Sequence, residues 1–153
     1  MSALLDTLPG FRPMRETDLD SIMHIEPCIY SHPWTRGNFL DSLKAGYSCW
    51  VMEAGGDCVG YGVLMMGVRE AHLLNLSVAP ERQGRGYGRA LLDHFIELAR
   101  SAAAEQMFLE VRPSNLAARR LYAEFGFRDI AVRRGYYPAA GGREDAILMG
   151  RAL

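Results

Sequence analysis

At 153 residues, 49% of them hydrophobic, the chain has the size of one domain, expected to span residues 1–153 and to bury roughly two-thirds of the surface its unfolded form would expose. Its 17 basic side chains nearly match the 18 acidic ones, and a formal charge of −1 argues against general nucleic-acid binding. No apolar run of about 18 residues occurs and the opening MSALLDTLPG lacks the basic start and long apolar core of an export signal, so neither a membrane span nor secretion is expected, and a cytoplasmic location is.

The coarse order of elements begins with a strand near Phe11 to Arg15, a helix over 17–30 and a helix over 36–45. Strands follow near 47–53, 58–67 and 71–78, then a long helix over 86–102, a strand over 107–112, a helix over 115–125 and two closing strands near 127–137 and 144–151. Short turns such as Gly55-Gly56 imply antiparallel neighbours, whereas the helix crossing between 71–78 and 107–112 implies a parallel pair. The expected class is α+β, with a mixed, mostly antiparallel sheet flanked by helices.

Cys28, Cys49 and Cys58 form no metal-binding spacing and their odd number suggests no secreted disulfide framework, so reduced thiols are expected. His24, His32, His72 and His94 are scattered without a ligand pair, and no metal is expected.

The stretch AHLLNLSVAPERQGRGYGRA, residues 71 to 90, carries the most chemistry. A Leu- and Val-rich strand meets a glycine-rich loop where a helix begins, and the unpaired N–H groups of a first helical turn, helped by the macrodipole, hold phosphate. A P-loop would need Gly-Lys-Ser/Thr, but Gly88 is followed by Arg89-Ala90, and Lys44 is the chain's one lysine. A dinucleotide fingerprint starting at Gly84 would need glycine where Arg89 stands. What remains is Gln83-x-x-Gly86-x-Gly88, flanked by Arg82, Arg85 and Arg89, which could meet a polyanion.

A second segment runs from Met107 to Phe127. Strand alternation puts Phe108, Glu110 and Arg112 on one face and Met107, Leu109 and Val111 on the other, so Glu110 is a carboxylate in a largely apolar strand. In the helix that follows, capped by Ser114 or Asn115, Asn115 and Tyr122 fall on nearly one face, with Leu116, Leu121 and Phe125 expected on or near the opposite side against the sheet. Gly126 supplies the stop.

Taken together, Gln83-x-x-Gly86-x-Gly88 and the later Asn115, Ala118, Leu121, Tyr122, Gly126 and Phe127 resemble the GCN5-related N-acetyltransferases, the GNAT superfamily. The resemblance implies the GNAT fold, in which two parallel strands splay and the pantetheine arm of acetyl-CoA lies between them against the backbone of Leu76, Ser77 and Val78. It places the pyrophosphate on the loop of Gln83, Gly84, Arg85, Gly86, Tyr87, Gly88 and Arg89, with Asn115 as a further cofactor contact or simply a helix cap.

The closing stretch RRGYYPAAGGREDAILM, with Tyr136, Tyr137, Pro138, Gly142, Arg143, Glu144 and Asp145, and the Pro33-Trp34 pair near the front narrow the resemblance to the RimI family of bacterial ribosomal-protein-alanine N-acetyltransferases. That family implies transfer from acetyl-CoA to a protein N-terminus, the N-terminal alanine of small-subunit ribosomal protein eighteen. The glutamate matching Glu110 is then the proton acceptor, and the tyrosine matching Tyr122 the donor to the leaving sulfur. From the residues alone, Glu110 could instead pair with Arg112 or a neighbouring strand, and Tyr122 could be a core residue. Tyr30 and Trp34 on one side and Tyr136 and Tyr137 on the other are expected to wall a peptide slot, or to pack only locally. A GNAT enzyme for lysine or a small amine, and a silent acetyl-CoA-binding module, are the competing readings.

Overall fold

The computed structural model describes residues 8–153, so the expectation about an export signal falls largely outside the described residues. Among the described residues, seven strands form one sheet: β1 (Gly10–Pro13), β2 (Ser48–Ala54), β3 (Asp57–Met66), β4 (Glu70–Val78), β5 (Gln106–Val111), β6 (Arg128–Ala139) and β7 (Gly142–Ala152). Their order is β1-β2-β3-β4-β5-β7-β6, and β4–β5 is the parallel pair among antiparallel neighbours. The helices are α1 (Leu19–Ile29), α2 (Arg36–Lys44), α3 (Tyr87–Ser101) and α4 (Leu116–Glu124).

Local chemistry explains where the boundaries moved. The first strand stops at Pro13 rather than Arg15, because the Arg15 amide donates to the Asp18 carboxylate at 2.7 Å and the chain turns through Glu16–Asp18 before α1 starts. α2 begins where Thr35 and Asn38 cap each other, with Asn38 N donating to Thr35 Oγ1 at 3.1 Å and Thr35 N donating to Asn38 Oδ1 at 2.9 Å.

Two clusters form the core, one on each face of the sheet. α3 presses Leu91, Leu92, Phe95 and Ile96 onto Met52, Leu64, Leu73, Met107 and Leu109, while α1 and α2 press Leu19, Ile22 and Phe39 onto Val51, Tyr61 and Val63. Gly62 permits the first contact, since a Cβ there would lie 2.5 Å from the Phe95 ring.

The parallel pair opens as predicted by the resemblance. Pairing of β4 with β5 runs from Glu70↔Gln106 to Leu73↔Leu109 and ends there, leaving the second half of β4 and the end of β5 apart. Where they part, β4 carries a bulge: Val63 pairs with Asn75 but Leu64 with Leu73, so Leu74 is the extra residue.

The helix after β5 corrects one expectation. Tyr122 is the residue of α4 that turns into the core, 8% exposed and edge-on to Phe127, whereas Leu116 stands 64% exposed. Leu121 and Phe125 do pack on the core. The tyrosine thus shares the sheet-facing side with the apolar seal rather than standing opposite to it.

Candidate active site

Two adjoining cavities occupy the splay. The inner one, 290 Å³, is lined by Tyr30 and Trp34 between α1 and α2, by the bulged stretch of β4, by Glu110 and Arg112 on β5, by Asn115 and Tyr122 on α4, and by Tyr137 and Pro138 on β6. The outer one, 540 Å³, runs along Leu76, Ser77 and Val78 to Gln83, Gly84 and Gly88, with Ala118 and Leu121 of α4 opposite. Tyr30, Leu76, Arg112 and Asn115 border both, so the two form one continuous groove.

Strand alternation decides which side each group comes from. Leu109 and Val111 belong to the core under α3 and α4, so Glu110 between them faces the α1 side. Tyr122 reaches the inner cavity from the α4 side. A carboxylate and a phenol therefore meet the same cavity from opposite faces of the sheet.

Glu110 is partly exposed and has a cation, with Arg133 Nη2 at 3.5 Å from its Oε1. The expected alternative of a pair with Arg112 does not form, because Arg112 bonds the Pro138 carbonyl at 2.8 Å and Glu144 at 3.3 Å and covers the Tyr137 ring at 4.4 Å. Tyr122 has its phenol pushed well above the usual value by burial, so it stays protonated through neutral pH. Asn115 caps α4, accepting from Ala118 N at 3.3 Å, while lining both cavities.

The loop before α3 has Gly84 and Gly86 at φ +75° and +84°, the left-handed region that favours glycine. Gly86 is the residue from which α3 starts. Tyr87 turns inward, 4% exposed, and belongs to the core rather than the groove. Of the three flanking arginines, Arg82 is paired with Asp57 at 3.1 Å and Arg89 with Glu124, leaving exposed Arg85 as the one that forms no ion pair among the described residues. On β4, the Leu76 carbonyl accepts from the Tyr30 hydroxyl at 3.0 Å and the Val78 carbonyl from Gln83 Nε2 at 3.1 Å.

Tyr30, Trp34 and Tyr137 converge on the inner cavity, but Tyr136 does not line it. Tyr136 is 45% exposed and stands beside Arg133, at 5.5 Å, with its ring edge-on to Tyr137. The hairpin's polar residues explain how Tyr137 is aimed. Between Arg133↔Ala146 and Tyr137↔Glu144, β6 carries extra residues that bulge around Gly135, at φ +59°. Asp145 accepts from Gly135 N at 2.8 Å, and Arg143 donates to the carbonyls of Gly135 and Tyr136 at 2.6 and 3.1 Å. Glu144 ties the same hairpin to the start of α4 through Ser114 N and Oγ, both at 3.0 Å.

Glu26 on α1 also lines the inner cavity, a residue the motif-based reading passed over. It is 0% exposed, accepting from Asn75 Nδ2 at 2.9 Å and from the Tyr61 hydroxyl at 3.4 Å. The available signal was its register: Leu19, Ile22 and Glu26 follow the spacing of one buried helical stripe, and a carboxylate among them is anomalous. Burial raises its carboxyl to about 7, against an ordinary 4.5. The folded protein then holds this proton more tightly than the unfolded chain, so the stabilisation is complete below about pH 4.5 and is lost as pH rises through 7. Glu26→Gln, neutral at every pH, is expected to match the native protein near pH 4 and to exceed it by up to about 3 kcal/mol at pH 8, as read by denaturant unfolding at the two values.

The comparisons agree with this geometry. Residues 19–127 match the model of the Acetyltransferase (GNAT) family. The chain is 37% identical over 136 residues to the [ribosomal protein bS18]-alanine N-acetyltransferase of Escherichia coli K12, covering 89% of this chain and 92% of that protein. The crystal structure of the ribosomal-protein-S18-alanine N-acetyltransferase from Escherichia coli superposes with a TM-score of 0.89 at 34% identity, over 95% of this chain and 94% of that one. Ard1 from Thermoplasma volcanium gives 0.87 at 28% identity, over 95% and 97%. With the splayed parallel pair, the glycine loop heading α3 and these likenesses together, the chain belongs to the acetyltransferase (GNAT) family.

Proposed function

We propose that the protein transfers the acetyl group of acetyl-CoA to the N-terminal α-amine of a protein, with the N-terminal alanine of ribosomal protein bS18 as its substrate. The observation that carries this reading is the inner cavity, where Glu110 and Tyr122 face one space from opposite sides of the sheet and Tyr30, Trp34 and Tyr137 line it as well. The substrate for which the Escherichia coli relative is named supports the choice of alanine.

When bound, acetyl-CoA supplies the thioester carbonyl that the amine attacks. The amides at the head of α3 hold the pyrophosphate, since Arg82 and Arg89 already have partners in the chain. The open half of β4 takes the pantetheine arm as an added strand, at the edge where Tyr30 and Gln83 now bond the carbonyls of Leu76 and Val78. Glu110 accepts the amine's proton and Tyr122 donates one to the departing sulfur. An α-amine suits this arrangement: with a pKa of about 7.7 to 8.0, roughly a tenth of it is free near neutrality, whereas lysine at about 10.4 is almost wholly charged.

The test is mass spectrometry of the protein with acetyl-CoA and peptides beginning with Ala, Ser or Met, together with an N-terminally blocked peptide containing lysine. Acetylation of the Ala-terminated peptide, with none on the blocked one, is expected. Equal rates on both would leave the family assignment and remove N-terminal specificity.

The cofactor loop has its own check. At Gly86 a valine side chain is incompatible with φ +84°, so the start of α3 must reshape and its amides lose their aim. Gly86→Val is expected to weaken acetyl-CoA binding by about tenfold or more, corresponding to about 1.4 kcal/mol. Arg85→Ala should change it several times less. Calorimetry with both variants decides between backbone and side chain.

A further inference from the structure

The inner cavity holds two carboxylates, Glu26 and Glu110, and among the described residues only Glu110 has a cation. Glu110 has Arg133 at 3.5 Å, and the other nearby guanidinium, Arg112, is committed to Glu144 and the Tyr137 ring. Glu26 forms no ion pair among the described residues, and its two hydrogen bonds come from the neutral donors Asn75 and Tyr61. Buried carboxylates are ordinarily paired with a cation. Its partners are also fixed: Asn75 Oδ1 accepts from Ser77 Oγ at 2.8 Å, which orients the amide so that its N–H points at Glu26.

Resting on the reading of the site as one for protein N-termini, we propose that Glu26 is the counter-charge for the substrate's α-ammonium. It draws the charged end of the peptide into the inner cavity, beside Glu110, before the proton is removed. The Glu26 side chain has no exposed surface, so it acts across the cavity wall as a positioning residue, by a field that the low polarity around it leaves poorly screened. Such a group stabilises the bound ground state, and its loss appears mainly in KM rather than in kcat. It also discriminates: a blocked terminus carries no charge for Glu26 to attract.

A pH signature follows. The other titratable and charged groups around the cavity are Tyr30 and His32 from the α1–α2 connection, Tyr61 on β3, Glu110 and Arg112 on β5, and Tyr122 and Tyr137 opposite. Burial lifts Tyr30 and Tyr137 to about 12 and Tyr61 and Tyr122 upward as well, so the tyrosines stay neutral near pH 7. Glu26, at about 7, gains its charge as pH rises from 6 to 8, while the α-amine loses its own above about 8. Affinity for the amine is therefore expected to be greatest between about pH 7 and 8.

The experiment is calorimetric titration of the protein, saturated with coenzyme A so that no reaction occurs, with an Ala-terminated peptide and with the same peptide in which hydrogen replaces the terminal amine. The native protein is expected to bind the amine peptide about tenfold more tightly at pH 7.5, and the advantage should fall on acidification to pH 5.5. Glu26→Gln, whose oxygen still accepts from Asn75 and whose amide nitrogen can donate to the Tyr61 hydroxyl, should abolish that preference and raise the peptide KM by a similar factor with kcat within about twofold and coenzyme A affinity unchanged. A Glu26→Gln protein that keeps the native preference overturns the proposal. So does a native protein whose preference does not change with pH, a result that needs no variant. A native protein that binds neither peptide refutes the N-terminal reading itself, whereas equal binding of the two refutes only the role of Glu26.

Discussion

Replacement of Glu110 by glutamine is expected to lower turnover on an Ala-terminated peptide by roughly 10² to 10⁴ while leaving acetyl-CoA affinity nearly unchanged. The separation follows from position, since Glu110 lines the inner cavity and is absent from the lining of the outer groove, where the glycine loop lies. Glutamine keeps the size of the side chain and loses the negative charge that faces Arg133 at 3.5 Å, so the change is chemical rather than steric. The loss should shrink by about tenfold between pH 7 and 9, because the free amine fraction rises from roughly a tenth to nearly one. Steady-state kinetics over that range reads both effects. A variant as active as the native protein at pH 7 would make Glu110 an ion-pair partner of Arg133 and nothing more.

The parts of this site that were legible in the sequence are those set by short-range chemistry. Glycines at Gly84 and Gly86 announce positive φ at the head of a helix, strand alternation separates Glu110 from Leu109 and Val111, and the crossover through α3 requires β4 and β5 to be parallel. The parts that were not legible depend on long-range packing. The bulge at Leu74 is a matter of how β4 registers on β3, with no local signature in the run HLLNLSV. Tyr122 shares a helical face with the polar Asn115 seven residues before it, which gives no sign that it turns to the sheet, yet its ring is large enough to seal α4 there. Tyr136 and Tyr137 point apart because neighbours on a strand face opposite sides, and the register of β6 on β7, shifted by the bulge around Gly135, is not marked in the sequence. Glu26 is marked locally by its place in the Leu19 and Ile22 stripe alone, and what holds it there is not local, since its partners Tyr61 and Asn75 lie 35 and 49 residues away.

Tyr122→Phe is expected to slow turnover as much as the change at Glu110, by roughly 10² or more, with no recovery at higher pH. The phenol is held protonated by burial far above neutrality, so it is a competent donor throughout the range in which the amine titrates, and its removal leaves the same deficit at pH 7 and at pH 9. Without that donor the sulfur must depart as a thiolate, a poorer leaving group in a cavity lined by Leu73, Leu76 and Leu109. The ring of phenylalanine preserves the edge-on contact with Phe127 at 5.9 Å, and melting should show a fold little changed. The comparison of pH profiles then separates the two residues. A deficit that closes with pH belongs to a group that prepares the amine, and one that stays constant belongs to a group that assists the departing thiol. If Tyr122→Phe recovered at high pH as Glu110→Gln does, Tyr122 would be acting on the amine and the sulfur would take its proton from solvent.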